Sequence, residues 1–260
     1  MKETLYRNRY VLIICASVLV LLGAWELIAR VMDMSLVLPT FSAVFVSFIG
    51  LFARGTFYSS LFATVLRSII GYIIGFAAGV MLGIIAGRYK AFAAALQPIV
   101  AFMRATPVAA ITLLLYIWVG SNILPPIIGI MLIFPIIYQQ VKTSVECIDP
   151  SVNDVLSEMG SGFLHSARTV YLPMVLPHTV SGISSTFGMN LKAVITAEVL
   201  ASSVPSIGRQ IYFANQNLIY EVNTLFAWVL VAVLVSILFE ALLRLLCGFL
   251  TKKISWLGVA

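Results

Sequence analysis

Three basic residues, Arg67, Arg104 and Lys192, lie inside long apolar runs of this sequence, and two carboxylates, Glu26 and Glu198, lie toward the ends of such runs. An ionisable side chain in apolar surroundings costs several kcal/mol unless it faces water or a partner. Two roles are compatible with these residue types. Either the basic groups bind an anionic or electron-rich molecule, or they pair with carboxylates and carbonyls and hold helices together.

Lys192 and Thr196 are four residues apart, so they share one face of a helix. Together with Arg104 and Glu198 they form the candidate set for contact with a solute. The alternative, that these side chains only fix the packing of helices, stays open at this point.

The sequence motifs for nucleotide binding and for a catalytic zinc site are absent from this sequence. There is no Gly-x-x-x-x-Gly-Lys-[Ser/Thr] segment to cradle a nucleotide phosphate, and the two histidines form no His-Glu-x-x-His motif. The three cysteines are far apart and are expected to be reduced thiols. We therefore predict no enzymatic activity, no metal site and no cofactor in this chain.

The composition indicates where the chain resides. Of its 260 residues, 61% are hydrophobic and 10% are charged, whereas about 25% of the residues in a soluble domain are charged. A chain with so much apolar surface has to be solvated by a bilayer. The net charge of +6 comes from scattered Lys and Arg residues, so we expect no nucleic-acid partner.

Six apolar segments are long enough to cross a bilayer, which predicts an all-α membrane domain over residues 1–260. They cover about residues 10–32, 60–87, 92–119, 123–145, 174–200 and 222–249. The excess of Lys and Arg on one side of these segments places both termini in the cytoplasm. Pro98 and Pro107 in the third segment, and Pro135 in the fourth, predict bends.

The second apolar segment carries a glycine at every fourth position. Glycines at this spacing form a ridge on one face, which lets a second helix pack closely in a membrane. The predicted packing residues are Gly71, Gly75, Gly79, Gly83 and Gly87.

A polar segment, residues 149–173, separates the fourth and fifth apolar segments, and we call it the coupling segment. Its first part reads as a short helix that begins at an Asp149 or Ser151 cap and ends at Gly160 in a left-handed conformation. Apolar residues at positions 152, 155, 156 and 159 share one face of that helix. This face packs either on the protein itself or on a partner.

The coupling segment resembles the signature of permease subunits of binding-protein-dependent ABC importers. That signature reads Glu-Ala-Ala, three residues, Gly, nine residues, Ile-x-Leu-Pro. Here Asp154-Val155-Leu156 is followed at the same spacing by Gly160 and by Val170-Tyr171-Leu172-Pro173. Asp154 replaces the glutamate of the signature, and bulkier residues replace both alanines.

Shorter matches along the chain are similar to the nitrate, sulfonate and taurine branch of these permeases. They are Leu38-Pro39-Thr40, Gly87-Arg88, Arg104-Ala105-Thr106-Pro107, Gly120, the segment from Lys192 to Leu200, and Ser206-Ile207-Gly208.

The resemblance implies a type I ABC importer permease bundle of about six transmembrane helices in a bacterial inner membrane. A second permease copy (expected to form a homodimer), an ATP-binding subunit that carries ATP and Mg²⁺, an extracytoplasmic solute-binding protein and membrane lipid are the implied partners. The implied ATPase-coupling residues are Val152, Asp154, Val155, Leu156, Met159, Gly160, Leu172 and Pro173. The implied solute is a sulfonate, nitrate, taurine or a pyrimidine-type cofactor precursor.

The alternative function is a secondary transporter or channel that works without an ATPase. Such a protein favours an acidic relay inside the membrane and repeated halves, and neither pattern is evident in the sequence.

Overall fold

The computed structural model describes the backbone of residues 2–256. It describes the side chains of residues 12–149, 151–152, 155–156, 158–175, 179 and 182–249. All regular elements in this part of the chain are helical, which confirms the predicted all-α class. The chain forms two compact units, one of Met1–Tyr58 with Gln210–Val231 and one of Ser59–Arg209 with Ala232–Ala260.

Eleven α-helices follow one another over the described backbone. They are α1 Lys2–Met32, α2 Phe41–Leu51, α3 Gly55–Arg88, α4 Lys90–Ala105, α5 Val108–Val119, α6 Leu124–Glu146, α7 Pro150–Glu158, α8 Phe163–Ser166, α9 Leu172–Ala201, α10 Ile207–Gln216 and α11 Leu218–Trp256. A π-helical turn, Ala167–Tyr171, joins α8 to α9.

Four helices are long and apolar enough to cross a membrane by themselves: residues Leu12–Met32 of α1, all of α3, all of α6 and Leu218–Phe249 of α11. The bent pair of α4 and α5 makes five if it crosses as one span. Helix α9 has 30 residues, or about 45 Å at 1.5 Å per residue, which also exceeds the bilayer core. The four single helices, the bent pair and α9 together give six candidate spans, which is close to the predicted number of about six.

The predicted third span is divided into two helices. Between α4 and α5 the helix axis turns by 103°, and Thr106 takes an extended conformation with ψ 125°. A residue that precedes proline is driven out of the helical region by the proline ring, so Pro107 accounts for the position of the break. Pro98 remains inside α4.

In the first unit, α1 and α2 are joined through polar contacts. The indole Nε1 of Trp25 donates to the carbonyl of Pro39 at 3.0 Å. The carboxylate of Glu26 accepts from the backbone N–H of Ser42 at 3.1 Å and pairs with Arg30 at 2.7 Å. Glu26 thus satisfies an N–H at the start of α2 while it is paired on its own helix.

Helix α6 lies at the centre of the second unit. Its Ile133, Ile137 and Val141 pack with Tyr72 of α3 and Phe187 of α9 in a large apolar cluster. Two other faces of α6 pack against α4 and against α5 with α9. A helix that is apolar all round is expected to be buried in this way.

The glycine ridge of α3 lies against α6. A Cβ atom built at Gly71 would be 2.6 Å from the carbonyl oxygen of Pro126, and at Gly83 it would be 2.8 Å from Cβ of Val141. At Gly87 the distance to Cβ of Val145 would be 2.5 Å. The two backbones therefore approach so closely that any side chain on the ridge would have to displace α6. The other ridge positions, Gly75 and Gly79, face Ile130 and Ile137 in the same way.

Candidate functional site

The first helix of the coupling segment, α7, is capped by Asp149. The Asp149 carboxylate accepts a hydrogen bond from the backbone N–H of Ser151 at 2.8 Å, which satisfies one of the free donors in the first turn. That bond holds the pKa of the Asp149 carboxyl below its usual value. Because folding lowers this pKa, the cap stabilises α7 at neutral pH, and the stabilisation is lost as the pH falls through the lowered pKa.

Gly160 ends α7 as the sequence predicts. Its φ is +64°, a left-handed conformation that favours glycine, and nothing lies within 4 Å of a Cβ built there. The next backbone N–H, of Ser161, donates to the carbonyl of Leu156 at 3.1 Å, as in a Schellman motif. Glycine is needed here for its backbone conformation, since there is ample space for a side chain.

We expect Gly160→Pro to disorder the end of α7, because proline fixes φ near −65°. Gly162 offers a matched control: its φ is already −62°, and nothing lies within 4 Å of a Cβ there. Hydrogen exchange of the amides of residues 151–159, measured in nanodiscs, should rise about tenfold or more in Gly160→Pro. It should change little in Gly162→Pro. Equal exchange in the two variants would contradict the left-handed cap.

The apolar face of α7 is divided between two environments. Val152 and Leu156 are partly buried and pack on the large apolar cluster of the second unit. Val155 and Met159, one turn apart, are 53% and 73% exposed. The sequence left open whether this face packs on the protein itself or on a partner, and the structure assigns two residues to the protein and leaves two available.

The rest of the coupling segment attaches α7 to the bundle. Phe163 of α8 lies 5.7 Å from the ring of Tyr89 at the end of α3, and Tyr171 is buried. Leu172 packs on the large apolar cluster, and Pro173 beside it is half-buried. These contacts connect α7 to both α3 and α9. The side chain of Asp154 lies outside the described residues.

The basic residues of the candidate set are exposed. Among the described residues, neither Arg104 at the end of α4 nor Lys192 on α9 has an ion pair or a side-chain hydrogen bond. Thr196 is also exposed, and its hydroxyl donates to the carbonyl of Lys192 at 2.9 Å. Within the described part of the chain, therefore, neither charge is neutralised by an ion pair or a side-chain hydrogen bond.

Lys192 and Thr196 belong to an exposed stripe on a helix that is otherwise largely buried. Ser185 and Met189 continue it at the same helical spacing, whereas Leu191 and the residues on either side of Thr196 are buried. A single exposed stripe on a packed helix faces a cavity, a second subunit or lipid.

Glu198 has a different environment from the other candidates. Its carboxylate is fully buried and pairs with Arg67 at 3.1 Å, and it accepts from the hydroxyl of Thr64 at 2.8 Å. The Arg67 guanidinium also donates to the carbonyl of Pro205 at 2.7 Å and to the Asn122 side chain at 3.3 Å. Glu198 thus joins α3, the α5–α6 connection and the residues after α9. This is the helix-packing role that the sequence left open for buried charges, although the sequence did not identify the partners.

This fold is found in solved structures of ABC transporters. A bacterial ABC transporter involved in the import of the acidic polysaccharide alginate superposes with a TM-score of 0.61 at 16% identity, over 96% of this chain and 99% of that one. The MetNI methionine ABC transporter superposes with a TM-score of 0.56 at 18% identity, over 79% of this chain and 97% of that one.

Residues 79–256 match the family described as the inner membrane component of binding-protein-dependent transport systems, and the chain belongs to this family. The chain is also 27% identical to a protein of Bacillus subtilis (strain 168) named as an aliphatic sulfonates transport permease, SsuC, over 87% of this chain and 82% of that protein. The resemblance inferred from the coupling segment is confirmed. The protein is a multi-pass inner-membrane permease of an ABC importer.

Proposed function

We propose that this permease couples ATP hydrolysis on a separate ATP-binding subunit to the import of a small sulfonate-type anion. The observation that carries the proposal is the exposed pair Val155 and Met159 on a helix that is capped and packed on the bundle. A short helix with an apolar face suits a groove on a partner protein. ATP and Mg²⁺ would then reside on the ATP-binding subunit.

The packing of the coupling segment supports this role. Val152 and Leu156 of α7 pack on the apolar cluster to which α3 and α9 both contribute buried residues. Movement of α7 would be transmitted to both helices through that cluster. An ATP-binding subunit that moves α7 would therefore move two long helices that both pack on α6. Closure of a partner dimer could be converted into a rigid-body change of the bundle in this way.

We expect Val155→Glu/Met159→Glu to abolish co-elution with the ATP-binding subunit and to reduce coupled ATP hydrolysis at least about tenfold. Each change places a charge in what would be an apolar contact, which costs several kcal/mol. Val155→Ile/Met159→Leu is the matched control, because it keeps both side chains apolar. Association should survive in the control.

If the wild-type chain never associates with an ATP-binding subunit encoded beside it, the importer mechanism fails for this chain. A transporter or channel without an ATPase would then be the better explanation. If the Glu variant associates as tightly as the control, α7 is not the contact, and another surface has to be sought.

The exposed stripe of α9 supports an anionic solute. Lys192 presents a positive charge without a described partner, with hydroxyl groups at Ser185 and Thr196 on the same stripe. We propose that this stripe lines the pathway between two copies of the chain in a homodimer. The name of the Bacillus relative agrees with a sulfonate as solute.

We expect Lys192→Met to lower the uptake of a short alkyl sulfonate about tenfold or more, since a charge-assisted contact would be lost. Uptake into proteoliposomes containing the complete transporter is the measurement. Lys90→Met removes one exposed charge at the start of α4 and serves as control. Unchanged rate and affinity in Lys192→Met would remove this residue from the pathway.

The last part of the proposal is the orientation of the chain in the membrane. Both termini and the coupling segment lie in the cytoplasm, as the distribution of Lys and Arg favours, and a solute-binding protein delivers the anion to the opposite face. Cysteine labelling of single-cysteine variants at position 159 tests this, and labelling from the extracytoplasmic side would contradict it.

A further inference from the structure

Helices α4 and α6 line an open cavity of about 220 Å³ that contains several polar side chains. Arg104 and Gln97 line it from α4, and Tyr138, Gln139 and Lys142 line it from α6. No carboxylate is found among its described lining residues. Two cations, two amides and a phenol therefore converge on one space.

Several of these groups have no partner in the described part of the chain. No hydrogen bond is present there for the side chains of Arg104, Gln97 or Tyr138. Lys142 has a carboxylate 3.4 Å away on the same helix, at Glu146, but that carboxylate is 45% exposed and such pairs are weak. The cavity therefore keeps a net positive charge and free hydrogen-bond donors.

We propose that this cavity binds a single oxyanion head group, a sulfonate or a phosphate, between Arg104 and Lys142. The guanidinium of arginine presents two parallel donors that match the oxygens of such groups. The volume equals about seven waters at ~30 Å³ each, which is enough for a head group with a short alkyl chain. Ala93, Val100 and Ala101 supply the apolar part of the wall.

Arg104 also borders a second cavity of about 210 Å³. This neighbouring space is mostly apolar and is lined by residues of α4, α5 and α6, among them Ile111 and Ile128. Arg104 is thus a lining residue of both spaces. The site is distinct from the α9 stripe. It gives Lys142 a role in binding, besides its place among the basic residues that predict the membrane orientation.

Two kinds of molecule carry an oxyanion head group of this type. The oxyanion is either the head group of the transported solute, in which case the site rests on the function proposed above, or the phosphate of an anionic phospholipid. Both sources require Arg104 and Lys142, and they differ in their response to the surrounding lipid.

The test uses the complete transporter in nanodiscs of phosphatidylcholine alone and of phosphatidylcholine with phosphatidylglycerol. Methanesulfonate is titrated while thermal unfolding is recorded, and retained lipid is identified by native mass spectrometry. We expect Arg104→Met and Lys142→Met each to weaken oxyanion binding about tenfold or more. Arg104→Lys should retain part of it.

Arg54→Met is the matched control, because it removes one exposed positive charge that does not line the cavity. Methanesulfonate binding that is equal in both lipids identifies the solute as the source. Selective retention of phosphatidylglycerol that competes with methanesulfonate identifies the lipid. Either result supports the site, provided that the Arg104 and Lys142 variants lose it.

The proposal is overturned if neither probe binds to the wild-type complex, or if Arg104→Met binds both probes as the Arg54→Met control does. ATP hydrolysis is measured on the same samples. Intact coupling without oxyanion binding refutes the cavity alone, whereas a wild-type chain that does not associate with its ATP-binding subunit refutes the proposed function.

Discussion

Gly83→Leu is expected to prevent α3 from packing on α6 and to lower the free energy of unfolding by about 3 kcal/mol or more. A Cβ atom alone would already be 2.8 Å from both Cβ and Cγ1 of Val141 and 3.0 Å from the carbonyl oxygen of Tyr138. The carbonyl oxygen and Cβ cannot rotate away, because they belong to the backbone and to the branch point of a side chain; only Cγ1 moves when χ1 changes. The helices would have to separate and lose contacts along the whole ridge.

The loss of stability should depend on which glycine is replaced and on the size of the new side chain. Gly83→Ala should be milder than Gly83→Leu, and Gly75→Ala milder still, since its nearest contacts are at 3.2 Å. Gly23→Leu and Gly248→Leu are controls, because nothing lies within 4 Å of a Cβ at either position. Denaturant unfolding in lipid–detergent mixtures measures the series. Equal losses at Gly83 and Gly248 would contradict the ridge.

The second large effect is expected at the ion pair of Arg67 and Glu198. Arg67→Met should destabilise the fold by about 3–5 kcal/mol, because it leaves a fully buried carboxylate without its counterion. Among the described residues, only the Thr64 hydroxyl and the backbone N–H of Gly208 would still donate to it. Glu198→Gln should cost less, because Arg67 keeps the carbonyl of Pro205 as an acceptor.

A charge-matched control is available on α11. Arg244 pairs with Glu240 at 2.9 Å, but its side chain is 71% exposed, so Arg244→Met should cost less than about 1 kcal/mol. The double variant Arg67→Met/Glu198→Gln should recover part of the loss, since no charge remains buried. Thermal unfolding of the purified chain gives the comparison. If Arg244→Met and Arg67→Met lose the same stability, the buried pair has no special role.

Local features of the fold were accessible from the sequence. The cap at Asp149 and the left-handed Gly160 involve residues within a few positions of each other, so their types and spacing define the geometry. The same holds for Pro107, which breaks the third predicted span by its effect on Thr106. Pro98 shows the limit, because α4 accommodates it without a break.

Pairings between distant helices were not accessible in the same way. The glycine spacing of α3 predicts a close neighbour, but it does not specify α6, whose contacting residues are ordinary apolar ones. Glu198 was placed with the solute-contacting candidates, because a carboxylate near a span end does not indicate which cation meets it. No sequence pattern places Lys142 beside Arg104, because the two residues lie on different helices 38 positions apart in the chain.

The buried pair also has a consequence for the synthesis of the protein. Arg67 precedes Glu198 by 131 residues, which a ribosome needs roughly 7–26 s to add at about 5–20 residues per second. During that interval the guanidinium is in a nascent helix without its counterion, and it has to reach water or a lipid head group. The buried ion pair can therefore form only after α9 has been synthesised. A truncated chain that stops before α9 lacks Glu198 and leaves the Arg67 guanidinium without that counterion.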